Sequence, residues 1–152
     1  FGPRQSARAI IPTIISQALK RDTIKLGFLK TKRNFNYIDT TIDGYIAAIH
    51  SKKAIGEIIN IGSELEVSIE SLVKIVSKYL NKKLFIKVDK KRIRPKKSEI
   101  FRLTADGKKA KKLLNWKTKM GKKYFENGIK KTIDWYIVNE NKNQINDKIY
   151  NI

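Results

Sequence analysis

Apolar side chains fall along this chain in two rhythms, three-to-four-residue spacing and strict alternation, and the rhythms take turns. Pro12 fits the first position of a helix whose face carries Ile14, Ile15, Ala18 and Leu19, ending near Arg21 and Asp22. Residues 23–27 then alternate as a short strand, and a polar loop at Lys30-Thr31-Lys32 leads into Arg33-Asn34-Phe35-Asn36-Tyr37. Thr40-Thr41-Ile42-Asp43 has capping-box spacing, and Ile42, Tyr45, Ile46 and Ile49 follow at helical intervals, which predicts an amphipathic helix. The β-branched run from Glu57 to Ile61, closed by Gly62, predicts a buried strand.

The second half repeats the alternation. Ser68 stands as the cap of a helix bearing Ile69, Leu72, Val73, Val76, Tyr79 and Leu80, and residues 84–88 read as another strand. Pro95 forbids helix in Arg92-Ile93-Arg94, after which Asp106 caps a short helix carrying Ala110, Leu113 and Leu114. A last helix presents Phe125, Ile129, Ile133, Tyr136 and Ile137, with Tyr124 where a capping hydroxyl is expected. Residues 139–152 hold five Asn and little periodicity, and predict a frayed tail. The pattern is α/β, with residues 1–138 as its ordered portion.

Composition narrows the chemistry. With 152 residues and 41% hydrophobic content the chain can bury one core. It has no Cys and a single His, His50, which excludes disulfide scaffolds, thiolate sites and any site needing two imidazoles. No apolar run approaches the roughly 18–20 residues of a bilayer span, and no signal pattern opens the chain, so the expected location is cytoplasmic, away from membranes. The first residues, Phe1-Gly2-Pro3-Arg4-Gln5, lack a Met and read as the interior of a longer protein.

The net charge of +20 would ordinarily suggest nucleic acid, but its distribution argues otherwise. Residues 1–76 carry 11 basic and 7 acidic side chains; residues 77–152 carry 23 and 7. The excess comes as scattered lysine pairs with no arginine-rich arm or stacking aromatic series, so a solvated surface is the expectation and a nucleic-acid module the competing class. Lys outnumbers Arg 27 to 7, which singles out the arginines as positions needing a planar fork: Arg4, Arg33 and Arg94 are the candidates.

Six pieces in order carry a resemblance: Phe1-Gly2-Pro3-Arg4-Gln5; Ile11-Pro12; Arg33-Asn34-Phe35-Asn36-Tyr37-Ile38-Asp39; Asn60-Ile61-Gly62; Arg94-Pro95-x-x-Ser98-Glu99; and Leu113-Leu114-Asn115-Trp116 with Gly128-Ile129-x-x-Thr132-Ile133-x-Trp135. Together they resemble the C-terminal half of the extended short-chain dehydrogenases, over nearly the whole chain. Within that superfamily the chain is most similar to NAD-dependent nucleotide-sugar 4,6-dehydratases, in particular those making nonulosonic acids such as legionaminic acid.

The resemblance implies the substrate-binding C-terminal part of such an enzyme, with one or two strands and a helix belonging to an N-terminal Rossmann domain outside this chain. It implies NAD held by that other half, since no Gly-x-x-Gly-x-x-Gly occurs here. The implied partners are a nucleotide diphosphate sugar, the Rossmann half and, in the complete enzyme, a second copy as a homodimer. Arg33 and Arg94 match arginines that grip the diphosphate, where a guanidinium fork binds two oxygens at once. Asn60 matches an Asn approaching the nucleotide, and Ile10 and Leu26 match positions lining the base and ribose pocket. Arg4 and Gln5 match positions near the active-site rim, with the closing of a turn as the equal alternative.

No catalytic residue is expected within the chain. Tyr79-x-x-x-Lys83 copies the spacing of the family's catalytic pair, but it sits at a helix end, downstream of motifs it should precede. Three departures from the family pattern stand out: Phe1 for Tyr, Asn34 for an Asp that would orient Arg33, and Thr40 for an Asp. The chain is thus expected to bind a nucleotide sugar without turning it over. A 4-epimerase portion, a basic nucleic-acid module and a non-functional remnant are the alternatives. Without the Rossmann half, Ile58, Ile59 and Ile61 and the face of the helix at 41–50 are expected to lie exposed, forgoing roughly 1.5–3 kcal/mol each.

Overall fold

The structure, a computed structural model, describes residues 1–6, 8–93, 95, 97–117 and 121–139. Among these residues five α-helices and five short strands follow one another as α1 (Ile10–Lys20), β1 (Thr23–Leu26), β2 (Lys32–Asn34), α2 (Ile38–Ile49), β3 (Glu66–Ser68), α3 (Ile69–Tyr79), β4 (Phe85–Val88), β5 (Arg102–Leu103), α4 (Lys108–Leu114) and α5 (Lys122–Asn139). β1 and β4 pair in parallel, with Thr23 opposite Phe85 and Leu26 opposite Val88. In the second sheet β2 is central, antiparallel to β3 and parallel to β5.

The core lies where α1, α3 and α5 close over β1. Ile11, Ile14, Ile15, Ile24, Leu26, Leu72, Val76, Ile129 and Ile133 are fully buried there. On β1 the alternation predicted from sequence holds, Ile24 and Leu26 inward and Thr23 and Lys25 outward. Gln17, fully buried on α1, accepts from Lys25 N–H at 2.8 Å and donates to the Lys25 carbonyl at 3.1 Å. Its amide thereby satisfies both backbone groups of that β1 residue as a neighbouring strand would.

A smaller cluster forms around Ala110, Leu114 and Trp116, against which Ala47, Ala48, Ile59 and Ile61 pack. Asn115 adopts a left-handed φ of 48°, which Asn tolerates, ending α4 and returning Trp116 to the cluster.

Several element ends differ from the sequence reading. α1 begins at Ile10, so Pro12 sits further inside the first turn, where its missing N–H still costs nothing. α2 starts at Ile38, with Thr40 and Thr41 already helical; the supposed capping box is interior, and Thr40 N–H donates to the Tyr37 carbonyl at 2.9 Å. Ser68 caps α3 as expected, accepting from Ser71 N–H at 3.1 Å, whereas the cap of α4 is Gly107, one residue after the expected Asp106, whose carboxylate accepts from Lys108 N–H at 2.9 Å. α5 begins at Lys122 with Tyr124 inside it. The segment Lys90–Arg92 is a 3₁₀ turn rather than open loop.

The main correction concerns residues 57–61, which form no strand. A β-branched run needs a neighbouring strand to become one, and none pairs with it among the described residues. Ile58 is 88% exposed there, while Ile59 and Ile61 are half-buried on the Trp116 cluster, so of the three expected exposed residues one is. On α2, Ile42, Tyr45, Ile46 and Ile49 all lie exposed, Ile49 by 80%. Of the tail expected over 139–152, Asn139 is the last residue of α5, and 140–152 lie outside the described residues.

Candidate functional site

The carboxyl ends of β1 and β4 open into a cleft, the place where parallel strands leave room for a ligand. Its empty space is about 820 Å³, open mouth included. Leu26 and Gly27 at the end of β1 supply one wall with Phe28 and Ile10, Arg33 enters from β2, and Arg92 and Glu99 come from the chain between β4 and β5. Gly27 allows the two walls to meet: a Cβ there would run into the carbonyl of Arg92.

The loop joining β1 to β2 is tied to the start of α3. Ile69 N–H donates to the Thr31 carbonyl at 3.2 Å and Glu70 N–H to the Leu29 carbonyl at 3.1 Å, so two otherwise orphan helix donors hold the loop in place. Lys32 N–H donates to the Phe101 carbonyl at 2.8 Å, which sets β5 beside β2 and brings Glu99 to the cleft.

Arg33 keeps a partly open guanidinium, its side chain 23% exposed. One terminal nitrogen donates to the Lys32 carbonyl at 2.9 Å and the other to Glu99 Oε1 at 3.4 Å. Across the cleft Arg92 Nε sits 3.3 Å from Asp89 Oδ2, and Arg8 lines the mouth, exposed. A cleft bearing three guanidinium groups attracts anions, and its Ile10, Leu26 and Phe28 wall suits an apolar or aromatic ring.

Of the residues expected from sequence, Ile10, Leu26 and Arg33 converge on this cleft. Asn60 does not line it; it is exposed on the segment between α2 and β3. Arg94 lies outside the described residues. Successive β2 residues point to opposite faces, so Asn34 turns away from Arg33 and donates to the carbonyls of Ser63 and, at 3.1 Å, Leu65. Its neighbour Asn36 accepts from Ser63 N–H at 2.8 Å and donates to the Ile61 carbonyl at 3.0 Å. The orienting carboxylate for Arg33 comes instead from Glu99.

Sequence reading missed Glu99, Arg92, Arg8 and Phe28 as cleft residues. The scarcity of Arg was a signal for Arg8 and Arg92, and Glu99 is the single acid between Asp89 and Asp106.

Tyr79 and Lys83 part company. The Tyr79 hydroxyl donates to Asp134 Oδ1 at 2.6 Å, which pushes its pKa up to about 12, the reverse of what a catalytic base needs. Lys83 lies over the Phe85 ring at 5.3 Å. Gly56 and Gly121, the two glycines with positive φ among the described residues, face open space.

This architecture, with its cleft at the ends of parallel strands, is that of the NAD-dependent epimerase/dehydratase superfamily. Residues 1–132 match the family described as GDP-mannose 4,6 dehydratase, and the chain belongs to it. Epimerases and dehydratases both appear among its relatives. A UDP-glucuronate 4-epimerase of Thermodesulfobacterium geofontis is 34% identical over 105 residues, 68% of this chain and 29% of that protein. A human dTDP-D-glucose 4,6-dehydratase is 30% identical over 145 residues, covering 90% and 39%. The crystal structure of UDP-glucuronic acid 4-epimerase from Bacillus cereus, in complex with UDP-glucuronic acid and NAD, superposes with a TM-score of 0.79 at 28% identity, covering 91% of this chain and 42% of that one. The chain thus spans well under half the length of these relatives. Among the described residues no helix is long and apolar enough to cross a membrane.

Proposed function

We propose that this chain is the nucleotide-sugar-binding portion of an NAD-dependent nucleotide-sugar 4,6-dehydratase, of the kind serving nonulosonic acid biosynthesis. The observation that carries the reading is the convergence of Ile10, Leu26 and Arg33, residues drawn from three elements, on one cleft at the ends of β1 and β4. The base and ribose lie against Ile10 and Leu26, and Arg33 and Arg94 hold the diphosphate; Asn60, exposed and off the lining of this cleft, meets the nucleotide only where the ligand extends past it toward the segment that follows α2.

In the complete enzyme, residues 1–138 work beside a dinucleotide-binding half that supplies NAD and the acid-base pair; transient oxidation at C4 of the sugar is the chemistry NAD provides there. The exposed apolar face of α2 and the unpaired 57–61 segment are what that half covers. The similarity to two UDP-glucuronate 4-epimerases favours a second reading, the same binding portion in a 4-epimerase.

Calorimetric titration of the chain with UDP-, GDP- and dTDP-sugars tests the proposal. One of them binds, and Arg33→Ala and Arg94→Ala each weaken it by about tenfold or more, the worth of a charge-assisted hydrogen bond. A folded chain that binds none of the three overturns it.

A further inference from the structure

The two edges of the β1–β4 sheet are finished differently. On β1 the buried Gln17 amide takes up the Lys25 N–H and carbonyl. On β4, Phe85 N–H donates to the Asp22 carbonyl and Asp89 N–H to the Leu26 carbonyl, both at 2.8 Å, so alternate residues turn their backbone groups toward β1. The period of two then sends the N–H and carbonyl of Ile86 and Val88 outward, where no described residue pairs with them. Val88 is 55% exposed on this edge.

Charge is uneven on the same strand. Lys25 and Lys87 stand directly opposite each other on the exposed face of the sheet, a like-charge pair that opposes its pairing. Lys83, Lys90 and Lys91, also exposed, flank them, and none of these five lysines has a carboxylate in ion-pair reach among the described residues. Asp89, the single acid from Lys82 to Ile93, is already held by Arg92 at 3.3 Å.

We propose that the outer edge of β4 takes an extended acidic segment of a partner protein as a third strand. The segment's backbone pairs with Ile86 and Val88, its carboxylates lie on the Lys25–Lys87 face, and its apolar side chains cover Ile86 and Val88. The lysines decide against a second copy, since pairing two β4 edges would set Lys87 and its neighbours against themselves. The outward amides and carbonyls beside exposed Val88 decide against nucleic acid, which brings phosphates but no strand to pair. None of residues 85–88 lines the cleft, so the inference is independent of the nucleotide-sugar reading.

Fluorescence anisotropy of the full chain with a labelled peptide of alternating Glu and Val tests this. The peptide binds, and its Lys–Val counterpart binds more weakly by about tenfold or more. Methylating every backbone amide of the Glu–Val peptide removes its strand donors at unchanged charge and weakens it by as much. Lys87→Glu has the same effect, as does Val88→Pro, which deletes an N–H that serves no bond inside the sheet. Amide hydrogen exchange slows at Ile86 and Val88 when the peptide is added. The changes made in the peptide are read on wild type and stand whether or not a variant folds.

Equal binding of the methylated peptide, or of a single-stranded oligonucleotide of matched charge, reduces the edge to a patch of positive charge and overturns the proposal. So does a wild-type dimer that Val88→Pro returns to monomer in sedimentation, which makes a second copy the occupant. A folded wild type that binds no peptide overturns it as well.

Discussion

Asn34 shows how much one atom can decide. Its Nδ2 serves the Ser63 carbonyl, the Leu65 carbonyl and Ser63 Oγ, and with Asn36 it fixes the segment before β3. An Asp would turn that donor into a charged oxygen facing two carbonyls. Asn34→Asp is therefore expected to destabilise the chain by about 1–3 kcal/mol, read from urea unfolding at neutral pH. An unchanged midpoint would mean the segment holds without the amide.

At this scale the sequence made Arg33 legible, because a rare planar cation in a lysine-rich chain stands out. It left Glu99 obscure: nothing in its neighbours along the chain reveals that β5 pairs with β2 and brings the carboxylate to Arg33 across 66 residues. Ile10 and Leu26 look like ordinary core positions in the pattern alone, and only the resemblance marked them.

Among elements, the contact of α3 with α5 carries a pH signature. Tyr79 donates to Asp134, and its pKa is raised from about 10 to about 12. Because the folded state holds this proton more tightly than the unfolded chain does, the contribution is fully present below pH 10 and is lost as pH rises through 12. Ultraviolet titration should show Tyr79 ionising late beside Tyr37 and Tyr136, which burial also raises, and Tyr79→Phe should remove one of those late steps. A tyrosine set that titrates uniformly near its ordinary value would refute the contact.

Helices were legible as elements since their apolar spacing is long and regular; α3 and α5 appear close to where periodicity puts them. β3 and β5, three and two residues long, were not, because strands so short and polar exist only through their pairing with β2. The 57–61 segment failed in the opposite sense, with strand-forming residues and no strand to meet. α2 began two residues ahead of its apparent capping box because Ile38 N–H finds the Phe1 carbonyl at 2.8 Å, a partner far away in sequence.

For the molecule as a whole, the distribution of apolar surface separates two kinds of isoleucine. Ile129 is fully buried in the main core, so Ile129→Ala is expected to cost about 2–5 kcal/mol. Ile49, 80% exposed on α2, is expected to tolerate Lys within about 0.5 kcal/mol in this chain. Calorimetric melting of both variants decides the matter: a large loss from Ile49→Lys would show that α2 already packs on something in solution.

The span from Arg33 to Glu99 has a mechanical side. Their contact closes a loop of 66 residues containing α2, β3, α3 and β4, and that closure is held by one long ion pair and a two-residue strand. The entropy of joining ends so far apart grows only with the logarithm of their separation, so a few residues inserted into the exposed stretch between α2 and β3 are expected to leave this closure almost unchanged.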